Sequence, residues 1–383
     1  MSKDSPHVLT LTPFYPVLGD DAQGCFVAEP MHNLEALGVR QTIFAVQPFY
    51  RGALIPNPTA PKARGVSFIS LPGGFGLPTS GLFLFASIIR EVRRIHTANP
   101  IDVIHAHAAM PCGHAAVLLK RELGIPFVVS VHGLDAYSTR QVTGLSGHAC
   151  RRISSMVYRS ADCIICVSEK VREQVVRGLI SARTVVVYNG VDPEIFSPEQ
   201  KDCADFVLSV GGLIPIKGHE VLIRGFAKIS QDFPGFTCEI IGDGPERSKL
   251  ENIARELGIA KKVRFRGRLS RAQVAALMRR CAVFVLPSRY EALGCVYLEA
   301  MAAGKAVIAG KDQGIEEIIQ SGYNGCLVAP TDVSQLSDAL AALLRDAANR
   351  RRIGIAARET VLAGLTFDHQ ARALKLVYEQ RAQ

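Results

Sequence analysis

Two glutamates eight residues apart, Glu291 and Glu299, lie in CAVFVLPSRYEALGCVYLEAMAAGKAVIAG. The pattern predicts a buried strand, a turn at Pro287 and Ser288, a helix opening near Leu293 and another strand from Ala306. A helix that opens at a strand end presents free backbone N–H groups and the positive end of its dipole, which favour a phosphate. Ala292, Leu293, Gly294 and Cys295 are the expected cradle, with Gly294 allowing close approach. Paired carboxylates can also be the acid and nucleophile of a glycosidase. Eight residues of helix rise ~12 Å, against ~5–5.5 Å between the carboxyls of retaining hydrolases and ~6.5–9.5 Å in inverting ones. That spacing speaks against hydrolysis and suits two hydroxyl contacts at opposite ends of a diphosphate.

FVLSVGGLIPIKGHEVL ends a strand at Gly211 and Gly212 and places Lys217 before the next helix. A cation there neutralises a departing diphosphate as a glycosidic bond breaks. IIGDGPERSKLE is a strand, turn and helix in which Gly242 and Gly244 permit an unusual backbone path, and no GxGxxG follows any strand, against a nicotinamide enzyme. IDVIHAHAAMPCGH puts His105 and His107 on one face of a strand, and FVVSVHGLD puts His132 at the end of the next. An HxH with a neighbouring His can open a zinc site, but acidic partners are missing, and polar contact to a sugar or satisfied core histidines fit better. The loop YPVLGDDAQGCFV carries Gly24 where backbone can approach a phosphate or sugar. No DxD occurs, so neither a metal bridge to a diphosphate nor any other cofactor is expected.

These residues must be held at strand ends. HVLTLTPF, QTIFAV, IDVIHAH, PFVVSVH, DCIICVS and TVVVYN alternate with helical patterns, and FVLSVGG, FTCEIIGDG, VRFRGRL, AVFVLPS, KAVIAGK and GCLVAP repeat the scheme. Six strands on each side predict two doubly wound parallel sheets, as 383 residues also suggest. The expected domains are 1–189 and 206–365, a linker at 190–205 around Pro193 and Pro198, and a C-terminal helix at 366–383 crossing back to the first. Ligands of open α/β sheets bind beyond the carboxyl ends of the strands, which places one cleft between two facing sheets.

Composition removes several classes. Hydrophobic residues make up 48% and charged ones 21%, an ordinary globular balance. No run approaches the ~18–20 apolar residues of a membrane span, and MSKDSPHVLTLTPFYP reads as a first strand, not a signal peptide, so a cytoplasmic protein is expected. Ten scattered cysteines suit free thiols, with Cys163 and Cys166 on opposite faces of a strand. The net charge of +9 favours the first half: residues 1–190 hold 18 Lys and Arg against 12 acids, and residues 191–383 hold 26 against 23. A basic face can meet anionic lipid or a phosphorylated acceptor; no motif supports nucleic acid.

EALGCVYLE resembles the E-x7-E motif of family 4 glycosyltransferases, the GT-B enzymes that retain anomeric configuration, and GCFV, HAH, VHGLD, ADCIICVSE, YNGVD, VGGLIPIKG, IGDGPE and GYNGCLVAP agree in the same order. The resemblance implies a GT-B fold of two Rossmann-like domains, an acceptor-binding one first and a nucleotide-sugar-binding one second. It implies that Glu299 binds the donor ribose, Glu291 the donor sugar hydroxyls, Lys217 the diphosphate and His132 the sugar near the reacting carbon, with Gly24 beside the donor phosphates. Gly212, Gly242 and the backbone of 292–295 complete the expected donor site; His105 and His107 are assigned to the acceptor. It also implies a metal-independent transferase of hexosyl type moving sugar from a UDP- or GDP-linked donor to a saccharide or lipid-linked acceptor, as in cell-surface polysaccharide or glycolipid synthesis.

Two positions depart from the pattern. Gly212 stands where many members carry Arg, and Ala306 where Pro is usual. The missing Arg keeps open a donor-binding or scaffold protein without turnover. In GLFLFASIIREVRRI the apolar run precedes Arg90, Arg93 and Arg94, which suits either a core helix with a solvated basic end or a helix docked on anionic lipid at the inner face of the cell membrane.

Overall fold

A computed structural model describes residues 5–72, 76–133, 142, 144–178, 183–199 and 204–382. They form two compact units: the described residues of 1–188 and 367–383, and those of 189–366. Part of the expected linker, residues 200–203, lies outside the described residues, as do Leu134 and Asp135 of the VHGLD stretch.

In the first unit the chain runs through β1 (His7–Thr12), α1 (Cys25–Ala36), β2 (Arg40–Pro48), β3 (Ala63–Phe68), α2 (Leu77–Ala98), β4 (Val103–His107), α3 (His114–Leu123), β5 (Phe127–Val131), α4 (Gly144–Ser160), β6 (Cys163–Cys166), α5 (Glu169–Gly178) and β7 (Thr184–Val186). The second unit follows with β8 (Phe206–Val210), α6 (His219–Ile229), β9 (Thr237–Ile241), α7 (Arg247–Glu256), β10 (Val263–Gly267), α8 (Arg271–Arg280), β11 (Val283–Leu286), α9 (Cys295–Ala302), β12 (Ala306–Gly310), β13 (Cys326–Val328), α10 (Val333–Arg345) and α11 (Ala347–Gly364). The last helix, α12 (Phe367–Glu379), belongs to the first unit.

Among the described residues the first sheet is β3-β2-β1-β4-β5-β6-β7 and the second β10-β9-β8-β11-β12-β13, with every strand pair parallel. Inner strands such as VIHAH, FVVSV and VFVL are buried along their whole length, as strands covered by helices on both faces must be. The first sheet has seven strands where six were expected. The extra one, β3, is an edge strand reading ARGVSF with only Phe68 buried, so no apolar run announces it.

The strand order reverses direction beside β1 and β4 in the first sheet and beside β8 and β11 in the second. Loops leave such switch points in opposite directions and open a crevice at the strand ends. Val207, Leu222, Phe226, Ile240, Val283, Val285 and Ile308 close the core of the second unit. In the first, Leu374, Val377 and Tyr378 of α12 pack with Val8, Val103, Val128 and Ile165 of the sheet. Cys163 and Cys166 are both buried, free thiols. Among the described residues no helix is long and apolar enough to cross a membrane.

Candidate functional site

At the second unit's switch point the loops after β8 and β11 meet. The 3₁₀ turn Pro215–Lys217 follows Gly211 and Gly212, and Ile216 O accepts a hydrogen bond of 2.7 Å from the Arg289 N–H. That bond ties one loop to the other. Lys217 Nζ lies 2.6 Å from Glu291 Oε1, with side chains 22% and 10% exposed, and the Ser288 hydroxyl donates to the same oxygen at 2.9 Å. The Glu291 N–H donates to Gln313 Oε1 at 2.9 Å, and the Glu291 carbonyl accepts from Gly314 N at 3.1 Å. The carboxylate is thus fixed at both ends of its residue, with a cation already at its side. Chemically, the pair can offer a preoriented cation to a diphosphate and a hydrogen-bond acceptor to a hydroxyl.

Helix α9 starts at Cys295, not near Leu293, because Gly294 takes a left-handed backbone (φ 84°) that ends the loop two residues later than the pattern suggested. The helical-rise argument is corrected accordingly. Only the step from Cys295 to Glu299 is helical, about 6 Å of rise, so the separation of Glu291 and Glu299 is set by the loop as well as the helix. Different elements hold the two glutamates: Glu291 is clamped by Lys217 and Ser288, whereas Glu299 sits within α9. A Cβ on Gly294 would lie 2.6 Å from the ring of Tyr297, whose hydroxyl donates to Leu286 O at 2.6 Å and locks α9 onto β11. The Leu293 side chain is fully buried, so only its backbone is available to a ligand. Cys295 Sγ accepts a hydrogen bond from Asn189 Nδ2 at 3.4 Å.

Burial pushes the Glu299 carboxyl up to about 7, with Arg271 pulling the other way. Relative to the usual 4.5, the folded chain keeps through that interval a proton the unfolded chain has released. Stability therefore falls as pH rises from about 4.5 to about 7. Glu299→Gln, which cannot ionise, is expected to melt above the parent at pH 8 and to lose that advantage near pH 4.5, as thermal melts across pH would show. A parallel pH dependence in both proteins would refute the shifted carboxyl.

Gly212 and Gly242 lie at the same end of the sheet. The Gly242 N–H is spent on Gly267 O at 2.9 Å, so this residue offers a ligand no free donor. A Cβ on Gly212 would meet nothing closer than Asp243 O at 3.9 Å, which leaves open space where the family pattern often has Arg.

In the first unit, β4 and β5 end in a histidine cluster. His105 Nδ1 meets the Tyr378 hydroxyl at 2.7 Å and its Nε2 the Ser130 hydroxyl at 2.7 Å. Both ring nitrogens are therefore taken inside the fold, and the expected acceptor contact of His105 gives way to a structural role. His107 Nδ1 and His132 Nε2 are 2.9 Å apart with rings stacked at 8°, and Phe14 and Phe26 set their rings edge-on against His132. Burial drives His105 and His132 down to about 3 and His107 well below its usual value. All three are neutral near pH 7 and act as hydrogen-bonding groups, not cations. His107 Nε2 is buried and has no partner among the described residues.

Gly24 caps α1 at φ 66°, and a Cβ there would lie 2.3 Å from the backbone of Phe14 and Tyr15. Only glycine fits there, and its carbonyl accepts from the Val27 and Ala28 N–H groups at 3.0 and 3.2 Å. On α2 the apolar face is core, with Leu84, Ile88 and Val92 buried; Arg93 pairs with Glu122, and Arg94 with Glu91.

Residues 191–360 match the model for glycosyl transferases group 1, and residues 26–195 that for glycosyltransferase family 4. An uncharacterized glycosyltransferase of Methanocaldococcus jannaschii is 32% identical over 332 residues, covering 86% of each chain. The chain belongs to family 4 of the glycosyltransferases. A D-inositol 3-phosphate glycosyltransferase of Mycolicibacterium paratuberculosis is 28% identical over 93% of this chain and 84% of its own. Among solved structures, HepE of Anabaena in complex with UDP shares the fold at TM-score 0.75 and 18% identity, over 98% of this chain and 100% of that one. The two α/β units are thus those of a GT-B glycosyltransferase. The sequence pointed to Lys217 and Glu291 but not to Ser288, Gln313 and Gly314, which hold Glu291, nor to Tyr297, which anchors α9 on β11.

Proposed function

We propose that the chain is a retaining, metal-independent transferase that moves a sugar from a UDP- or GDP-linked donor, bound by the second unit, to a hydroxyl of a saccharide or lipid-linked acceptor. The observation that carries this reading is the Lys217–Glu291 pair at the switch point, beside the opening of α9. Lys217 offsets the charge that develops on the departing diphosphate, and Glu291 and Glu299 accept hydrogen bonds from donor hydroxyls. His132 contributes a neutral imidazole to the sugar. The UDP complex of HepE favours a uridine donor, and the phosphorylated inositol of the mycobacterial relative's name favours an acceptor with negative charge. A place in cell-surface polysaccharide or glycolipid synthesis, on the cytoplasmic face of the membrane, is part of the same proposal.

Incubation with UDP- and GDP-sugars and a panel of saccharide and lipid-linked acceptors tests the proposal. Nucleotide release that requires an acceptor and fades in Glu299→Ala supports it. Donor binding by calorimetry without turnover on any acceptor would instead favour a binding protein, the reading motivated by the open space at Gly212.

A further inference from the structure

Helix α4 buries Gly147, Cys150, Ser154, Val157 and Tyr158. Its outer side carries His148, Arg151, Arg152 and Arg159, all exposed. Spacings of three and four along this side place them in one stripe, and the eleven helical steps from His148 to Arg159 make it about 16 Å long. Helix α4 contains no acidic residue. Among the described residues, none of the three arginines has an ion-pair partner, whereas Arg93 and Arg94 of α2 pair with Glu122 and Glu91, and Arg172 and Arg177 of α5 with Glu169 and Glu173.

The stripe is also hollowed. His148, Arg151, Arg152, Ser155, Met156 and Arg159 line a shallow, open depression of about 340 Å³, wide enough to seat a phosphate headgroup. Just before His148, on the same side, Leu145 is 92% exposed. Three exposed arginines on one helix face with no acidic residue on that helix, and a leucine 92% exposed beside them, match a surface that is anionic outside and apolar just below. A soluble anion would use the charges and leave the leucine without purpose.

We propose that α4 is a docking face for an anionic phospholipid bilayer, with headgroup phosphates seated among Arg151, Arg152 and Arg159 and Leu145 entering the boundary of the acyl chains. This deepens the membrane setting of the proposed function and moves it from α2, where the sequence pattern suggested it, to α4. Each arginine near an anionic surface contributes about fivefold in partition.

Cosedimentation of the full chain with phosphatidylcholine vesicles, with and without phosphatidylserine, is the test. Binding is expected only to the phosphatidylserine vesicles and should fall steeply with salt. The triple variant R151E/R152E/R159E should lose it by roughly 100-fold, and Leu145→Ala by a few-fold, with melting temperature and nucleotide-sugar binding unchanged. If the triple variant does not fold, the corresponding Arg→Gln variant replaces it. Equal binding to both vesicle types, or undiminished binding of the variant, overturns the proposal. Indifference to phosphatidylserine combined with arginine-dependent binding of heparin would assign the face to a soluble polyanion and also overturn it. Retained nucleotide-sugar binding in any of these cases leaves the transferase reading intact.

Discussion

Lys217→Ala is expected to lower kcat by about 10²–10³-fold, the usual cost of removing one preorganised electrostatic contact. Its ammonium lies 2.6 Å from Glu291, and no other cation bonds that carboxylate among the described residues. The substitution also leaves a largely buried carboxylate with only the Ser288 hydroxyl. Breaking a fully buried pair costs ~3–5 kcal/mol; because Lys217 keeps 22% of its side chain in water, a loss of about 1–3 kcal/mol in unfolding free energy is expected. The double variant Lys217→Ala, Glu291→Gln should recover most of the stability and none of the rate. Steady-state kinetics with denaturant melts separate the two effects. Near-parental kcat in the single variant would remove Lys217 from the chemistry.

Gly314→Ala should weaken donor binding by tenfold or more, although the residue need not touch the donor. A Cβ there would fall 1.7 Å from the Ala292 carbonyl and 3.1 Å from Leu293 Cα, and both of those are backbone. Ala292 and Leu293 would have to move, together with the Glu291 carbonyl that accepts from Gly314 N. Overpacking of this kind costs ~1–3 kcal/mol, and each 1.4 kcal/mol, roughly, that reaches the binding step is a factor of ten. Calorimetry with UDP and a UDP-sugar reads the change. Parental affinity together with a lowered melting temperature would show that the loop yields without disturbing the cradle.

What the sequence disclosed follows physical lines. Inner strands declare themselves because both faces are buried and Val and Ile run without interruption; β3, solvated at the edge, does not. Lys217 and Glu291 were legible through their place at strand ends, since that argument needs only local pattern. Their supports were not. Gln313 reaches Glu291 across 22 residues and Gly314 does so through backbone alone, contacts no local spacing encodes. The start of α9 was missed by two residues because Gly294 fits a helix start and a left-handed turn equally well in sequence. His105 looked like a ligand contact because its satisfaction comes from Tyr378, 273 residues away.

Tyr378 and its helix also bear on the order in which the protein can be completed. The second unit is one unbroken stretch, 189–366, and holds all of its own core once that stretch has been made. The first unit is begun earlier but lacks Leu374, Val377 and Tyr378 until α12 has been added, after the whole of the second unit. On the ribosome, where units fold as their chain emerges, the part made second can be finished first. The sheet that carries the histidines must wait, with His105 short of a partner, for α12.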